Sequence, residues 1–177
     1  NEFLFKNIGS TYAEFQHNLP FSGSVAIQIT GDLSISNWFH LFGNFRQSGV
    51  KGWMLRATWD PSSGKGLIQL GMWDGANNFA AYSNAALAAH PNLNDGLVHV
   101  VTFTYNGNGS FTGVNFYVDG IDVGLIAGSS KTGTLVDITN SENFIIGKRP
   151  NGGGDQFYDG YMDDITIYNT ELSTSEG

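Results

Sequence analysis

Carboxylates are where chemistry would first show, because hydrolysis of a glycosidic bond needs two of them facing one cleft at a set separation. Here the five glutamates, Glu2, Glu14, Glu142, Glu171 and Glu176, are scattered, and no strand-like run carries a Glu/Asp pair at alternate positions. Asp163 and Asp164 are neighbours, and neighbours on a strand point to opposite faces. The histidines, His17, His40, His90 and His99, have neither metal-ligand spacing nor a nucleophile beside them. The glycine run at 152–154 leads into a strand-like segment at 156–161 rather than a helix opened by Lys-Ser/Thr, so it does not read as a phosphate cradle. These patterns point away from an enzyme.

Binding without turnover asks for different groups. Flat rings lie on the C–H faces of a sugar, and amides or carboxylates satisfy hydroxyls that are costly to bury unpaired. That mixture occurs twice: Trp73, Asp74, Asn77 and Asn78 with Tyr82 nearby, and Asn151, Gln156 and Tyr158 in a stretch that also holds Arg149 and Asp155. Both stretches are rich in turn residues and are expected on rim loops. Trp38, Trp53 and Trp59 fall inside strand-like runs, where large aromatics pack a core or cover an edge, and are assigned to structure.

The elements that must position these loops are short strands. Val25, Ile27 and Ile29 alternate with Ala26, Gln28 and Thr30, the pattern of a strand wet on one face. Further strand-like runs cover 11–15, 38–45, 53–59, 67–73, 97–105, 114–118, 144–147 and 161–168, with Gly-, Asn- and Asp-rich turns between them. One helix-like stretch, 84–90, ends at Pro91, with Ser83 or Asn84 available as its N-cap. No repeat or linker divides the 177 residues, so a single all-β antiparallel sandwich over 1–177 is expected.

Composition agrees. A hydrophobic share of 41% against 14% charged residues suffices for a core. The net charge of −8 repels a phosphate backbone, so nucleic acid is a poor partner. No apolar run approaches the ~20 residues of a bilayer span, so membrane insertion is not expected either. The chain has no cysteine, hence no disulfide frame.

Two segments go beyond generic strand pattern: DGLVHVVTFTY at 95–105 and VNFYVDGIDVG at 114–124. They are followed by FIIGK at 144–148 and YDGYMDDITIYN at 158–169, then Leu172 and Ser173. In that order they resemble laminin-G-like domains and, more broadly, the concanavalin A-like lectin and glucanase sandwiches. Val98 stands where the family usually has Trp, a change in local packing that keeps strand parity. The resemblance implies a jelly-roll sandwich and gives His99 a structural place at the core edge. Independently of it, Asp119 and Gly120 read as a two-residue hairpin reversal.

Period-two parity over 161–168 puts Asp163 with Tyr161, Ile165 and Ile167 on the more apolar face. An unpaired carboxylate there is costly, so it must be protonated, hydrogen-bonded to backbone N–H groups, or bound to a cation. In related sandwiches an Asp at this place meets carbonyls of the N-terminal segment at a structural calcium, and the resemblance implies that role for Asp163. Carbonyls at 7–10 and near Gly31, with Asp32 as a second carboxylate, are the candidate co-ligands. The alternative is that Asp163 only pins a turn.

The sequence therefore leads to a non-catalytic module of an extracellular or surface protein, binding a glycan or surface polysaccharide and shaped by calcium. A structural or assembly block that contacts other proteins and takes no glycan is the other expectation.

Overall fold

The computed structural model describes residues 15–36, 38–45, 50–148 and 157–173. Among the described residues eleven strands form two antiparallel sheets. They are β1 (Phe21–Ile29), β2 (Trp38–Gly43), β3 (Lys51–Asp60), β4 (Lys65–Asp74), β5 (Asn78–Tyr82), β6 (Val98–Tyr105), β7 (Val114–Val118), β8 (Ile121–Asp122), β9 (Ser130–Thr132), β10 (Ile145–Ile146) and β11 (Gly160–Tyr168). One sheet runs β11-β1-β6-β7-β8 and the other β10-β2-β3-β4-β5-β9. Alternation decides which side chains meet between them. Phe21, Val25, Ile27 and Ile29 from β1 face Trp53, Leu55, Ile68, Leu70 and Phe79 from the second sheet. Trp53 is fully buried, its ring 5.1 Å from Phe21, 6.1 Å from Phe42 and 6.3 Å from Phe103. Each such buried aromatic contributes roughly 1.5–3 kcal/mol relative to exposure. The assignment of Trp53 to structure holds.

The hairpin between β7 and β8 turns at Asp119 and Gly120, whose φ values of 54° and 75° are the double positive pair of a two-residue reversal. Asp119 also fixes the neighbouring strand: its Oδ1 accepts Val100 N–H at 2.8 Å, and its Oδ2 meets His99 Nδ1 at 2.8 Å. Asp95 Oδ1 lies 3.2 Å from the other ring nitrogen of His99. The histidine is a buried clasp between two carboxylates, in line with its expected structural role.

Two expectations change. The stretch 84–90 forms successive turns instead of a helix, because Asn84 Oδ1 takes Ala86 N–H and His90 is drawn inward onto Ser83 Oγ at 2.8 Å. The helix is instead α1 (Leu33–Ser36), a single turn entered from Asp32, whose Oδ1 accepts both the N–H and the hydroxyl of Ser34 as an N-cap does. Parity in β11 also breaks. Ala26 pairs with Asp163 but Ser24 with Thr166, so Asp164 and Ile165 together oppose Val25 in a β-bulge, with Asp164 at φ 52°. The extra residue turns Met162, Ile165 and Ile167 inward and leaves Asp163 exposed, not on the apolar face. Residues 11–14 of the first expected strand lie outside the described residues, as do 7–10. Among the described residues no helix is long and apolar enough to cross a membrane.

Candidate functional site

The outer face of the β10-β2-β3-β4-β5-β9 sheet carries the groups a ligand would need. Positions that alternate away from the core line up across strands in register. One row joins His40, Arg56, Gln69 and Tyr82, from β2, β3, β4 and β5. On one side Trp38, Thr58 and Leu67 form a second row. On the other, Gly43, Met54, Gly71, Ala80 and Ser130 form a third, and Gly52, Trp73, Asn78 and Thr132 a fourth. Strands lie about 4.8 Å apart, so the first row spans about 14 Å, the scale of a short oligosaccharide.

Although these positions point away from the sandwich interior, the centre is covered. Gln69 is 1% exposed and His40 and Met54 are each 3% exposed, while Trp38, Arg56, Thr58, Trp73, Asn78 and Tyr82 are half-buried. Glycine explains part of this. A methyl group on Gly71 would collide with the six-membered ring of Trp73, so the indole lies flat along the sheet over that residue. Phe45 braces it edge-on at 4.9 Å. The Arg56 guanidinium lies 4.2 Å from the centre of the Trp38 ring, and its Nε donates to Gln69 Oε1. The face thus offers the half-buried indoles of Trp38 and Trp73, the Tyr82 phenol, the Asn78 amide and the Arg56 guanidinium, groups that stack on sugar C–H surfaces and bond hydroxyls.

Of the first expected cluster, Trp73, Asn78 and Tyr82 reach this face, but from strands and not from a rim loop. Asp74 and Asn77 hold the hairpin that joins β4 to β5. Asp74 Oδ1 accepts the N–H groups of Ala76 and Asn77, and its Oδ2 accepts Val136 N–H and the Asn77 amide. Burial pushes the Asp74 carboxyl up, and these donors, Asn77 N–H foremost, more than reverse it, holding it at about 2. Asp74 is therefore a turn anchor.

The second expected cluster does not assemble as a site. Asn151 and Gln156 lie outside the described residues. Tyr158 drops into the core, 8% exposed, with its ring 5.9 Å from Phe39 and its hydroxyl donating to Tyr161 O at 3.2 Å. Burial pushes its pKa well above that of a free phenol. Tyr158 thus serves packing.

The two carboxylates expected to share a cation are apart. Asp159, not Asp163, sits over Gly31, where its carbonyl accepts Thr30 N–H at 3.0 Å and Gly31 N–H at 3.1 Å. Asp163 lies three residues beyond Gly160 on β11, about 10 Å further along the strand. Its Oδ1 accepts Asp164 N–H at 2.9 Å. Asp32 is occupied as the helix cap, and the Ser34 hydroxyl holds its pKa below the usual carboxylate range. Among the described residues no three His, Cys, Asp or Glu side chains converge as a metal site, and the carbonyls at 7–10 expected to join Asp163 and Asp32 lie outside the described residues.

Trp38, Arg56 and Gln69 were not among the expected site residues. The alternation of Met54, Arg56 and Thr58 with Trp53, Leu55 and Ala57 gives a usable signal for β3. The nearly continuous apolar run 67–73 conceals it for β4.

Residues 7–176 match the model of the family described as the concanavalin A-like lectin/glucanases superfamily. No curated protein matches. Among solved structures, the heptameric SAP-like pentraxin from Limulus polyphemus is similar at 15% identity and a TM-score of 0.58, over 88% of this chain and 66% of that one. The CBM40 of the Ruminococcus gnavus IT-sialidase, bound to α2,3-sialyllactose, matches at 11% identity and 0.58, over 89% of this chain and 80% of that one. Domains LG4-5 of the mouse laminin α1 chain match at 13% identity and 0.55, over 97% of this chain and 43% of theirs. At these identities the likeness is one of fold.

Proposed function

Because the chain belongs to the concanavalin A-like lectin/glucanase superfamily, whose fold carries binding modules and enzymes alike, we propose that it is a non-catalytic carbohydrate-binding module. In this reading a short glycan lies across the outer face of the six-stranded sheet. The observation that carries the reading is the set of half-buried aromatic and polar side chains that register brings together on this face, Trp38, Arg56, Trp73, Asn78 and Tyr82. Such a face would bind by stacking and hydrogen bonding, and among the described residues it presents no pair of carboxylates for hydrolysis. The similar CBM40 fold bound to sialyllactose supports the reading. An extracellular or surface location belongs to the same proposal. So does a structural calcium at Asp163 alone, whose solvent-facing carboxylate suits an ion that draws most of its 6–8 oxygens from carbonyls and water.

A second reading, a protein-assembly block, is favoured by a different surface. On the outer face of the five-stranded sheet, Gln28 pairs with Val98 on one side and Tyr161 on the other, and Val100 follows one pair along. Val98, Val100 and Tyr161 are 63%, 45% and 71% exposed. A glycan array, run on the wild type and on Trp73→Ala with light scattering alongside, separates the two. Saccharide binding that Trp73→Ala weakens supports the module. Silence on the array with a concentration-dependent rise in mass supports assembly.

A further inference from the structure

We infer that the outer face of the five-stranded sheet docks a cationic, amphipathic stretch of polypeptide; this rests on the second reading above, in which that face is a protein contact, and not on the glycan site. Charge is divided between the two sheets. Residues 15–36, 93–124 and 157–173, which form the five-stranded sheet and the chain adjoining it, hold eight carboxylates and no lysine or arginine. Every lysine and arginine among the described residues, Lys51, Arg56, Lys65, Lys131 and Lys148, lies on the six-stranded sheet or beside β10. His99, the one histidine of the five-stranded sheet, is already shared between Asp95 and Asp119. Nucleic acid, anionic lipid and a second copy of this face all bring negative charge and are repelled, whereas lysine and arginine side chains supply what the sheet lacks.

The open area narrows the partner further. At one end of the face the chain covers itself: Ser22 Oγ donates to Thr170 O at 2.8 Å and accepts Leu172 N–H at 2.9 Å, which lays residues 170–172 against the buried Ser22. The other end is open. There Val98 and Tyr161 flank Gln28 on its two neighbouring strands, and Val100 and Asp163 flank Ala26 in the next row. Asp119 bounds that row beyond Val100, whose N–H it accepts at 2.8 Å, and Asp159 precedes Tyr161 at the start of β11. From β11 to β6 the tract is about 10 Å wide, the width of one helix or one extended segment. The carboxylates stand around exposed apolar side chains, and no three of them converge on one point among the described residues. What matches this pattern is a run in which lysines or arginines flank aliphatic or aromatic side chains. The apolar part supplies the grip, and the cations choose the partner and speed the encounter.

The test is fluorescence anisotropy of three labelled octapeptides, alternating Lys-Leu, Lys-Ser and Gln-Leu, titrated with the intact chain in chelator. The Lys-Leu peptide should bind on the order of tenfold more tightly than either control, since only it meets both the apolar centre and the carboxylates around it. Its advantage over Gln-Leu should shrink as salt rises. Val98→Ser with Tyr161→Ser should bring Lys-Leu down to the Lys-Ser level, and Asp163→Lys should weaken it severalfold; all three positions are exposed. Lys-Ser binding as tightly as Lys-Leu overturns the inference, because net charge alone then explains the attraction. Gln-Leu binding as tightly overturns the choice of a cationic partner and leaves a protein contact of other chemistry. Lys-Leu affinity unchanged in both variants overturns the assignment to this face. If no peptide binds, the inference is overturned and light scattering decides the reading beneath it. A concentration-dependent mass that Val98→Ser with Tyr161→Ser abolishes gives the face to a second copy, and a monomer removes the protein-contact reading as well. Should the double variant fail to fold, Asp163→Lys and the three wild-type affinities decide. The glycan array reads the outer face of the other sheet, so that reading stands or falls separately.

Discussion

Gly71 offers the most direct probe of how the face is built. A Cβ there meets the Trp73 ring and nothing else as near, and Gly71 is not at positive φ, so Gly71→Ala perturbs the indole and leaves the backbone unstrained. Forcing a methyl group into a filled space costs about 1–3 kcal/mol. Losing the edge-on contact between Trp73 and Phe45 adds about 0.5–1.5 kcal/mol where the indole swings away. Against this, replacing a strand glycine by alanine returns about 0.5–1 kcal/mol of chain entropy. The single variant should therefore be destabilised, by about 1–3 kcal/mol. In a Trp73→Ala background the collision is gone and only the entropy remains, so the same Gly71→Ala change should stabilise by about 0.5–1 kcal/mol. Urea unfolding of the four proteins reads this as a reversal in sign of the midpoint shift with m unchanged. If Gly71→Ala shifts the midpoint equally in both backgrounds, Trp73 does not lie over Gly71 and the platform does not exist.

Three further predictions follow from the clasp, the core and the bulge. Burial lowers the His99 pKa, and the Asp119 and Asp95 carboxylates raise it by more, so the net shift is upward. The protonated clasp then contributes its full stability below pH ~6.5 and loses it as pH climbs through the higher folded value. His90, lowered by burial, acts in the opposite sense, so the wild type should be compared with His99→Gln from pH 5.5 to 9; a pH-independent difference refutes the clasp. Tyr158→Phe should cost about 0.5–1.5 kcal/mol through its lost hydrogen bond and leave saccharide affinity unchanged, whereas a loss of affinity without loss of stability restores Tyr158 to a binding role. Asp163→Asn should shift stability by less than ~0.5 kcal/mol in chelator, as exposed substitutions do. A greater loss in millimolar calcium marks a bound ion, and an equal loss in both buffers marks the turn hydrogen bond alone.

What was legible in the sequence is what a single strand's alternation encodes. Val25, Ile27 and Ile29 face inward as their spacing implies, and Asp119-Gly120 makes the reversal its composition demands. What was not legible depends on one strand's relation to another. Asp164 enters the left-handed region without being glycine, so nothing local announces the bulge that carries Asp163 to the other face. Tyr158 sits beside a glycine-rich stretch and reads as a loop aromatic, yet the bridge between Lys148 and Phe157 delivers it to the core beside Phe39. β5 is short and two of its five residues are alanine, which hid it among turn residues and made Asn78 and Tyr82 look like rim positions. The candidate site draws on four strands far apart in sequence and joined only by register.

The four tryptophans divide the molecule in a way that one measurement can use. Trp38 and Trp73 lie on the outer face of the six-stranded sheet, and Trp53 and Trp59 point into the sandwich. Their indole N–H resonances are four reporters for a titration with the saccharide that binds best. If the outer face is the site, the Trp38 and Trp73 signals move with saccharide concentration while those of Trp53 and Trp59 stay in place. Saturating binding that leaves Trp38 and Trp73 unmoved contradicts the account and puts the ligand elsewhere on the fold.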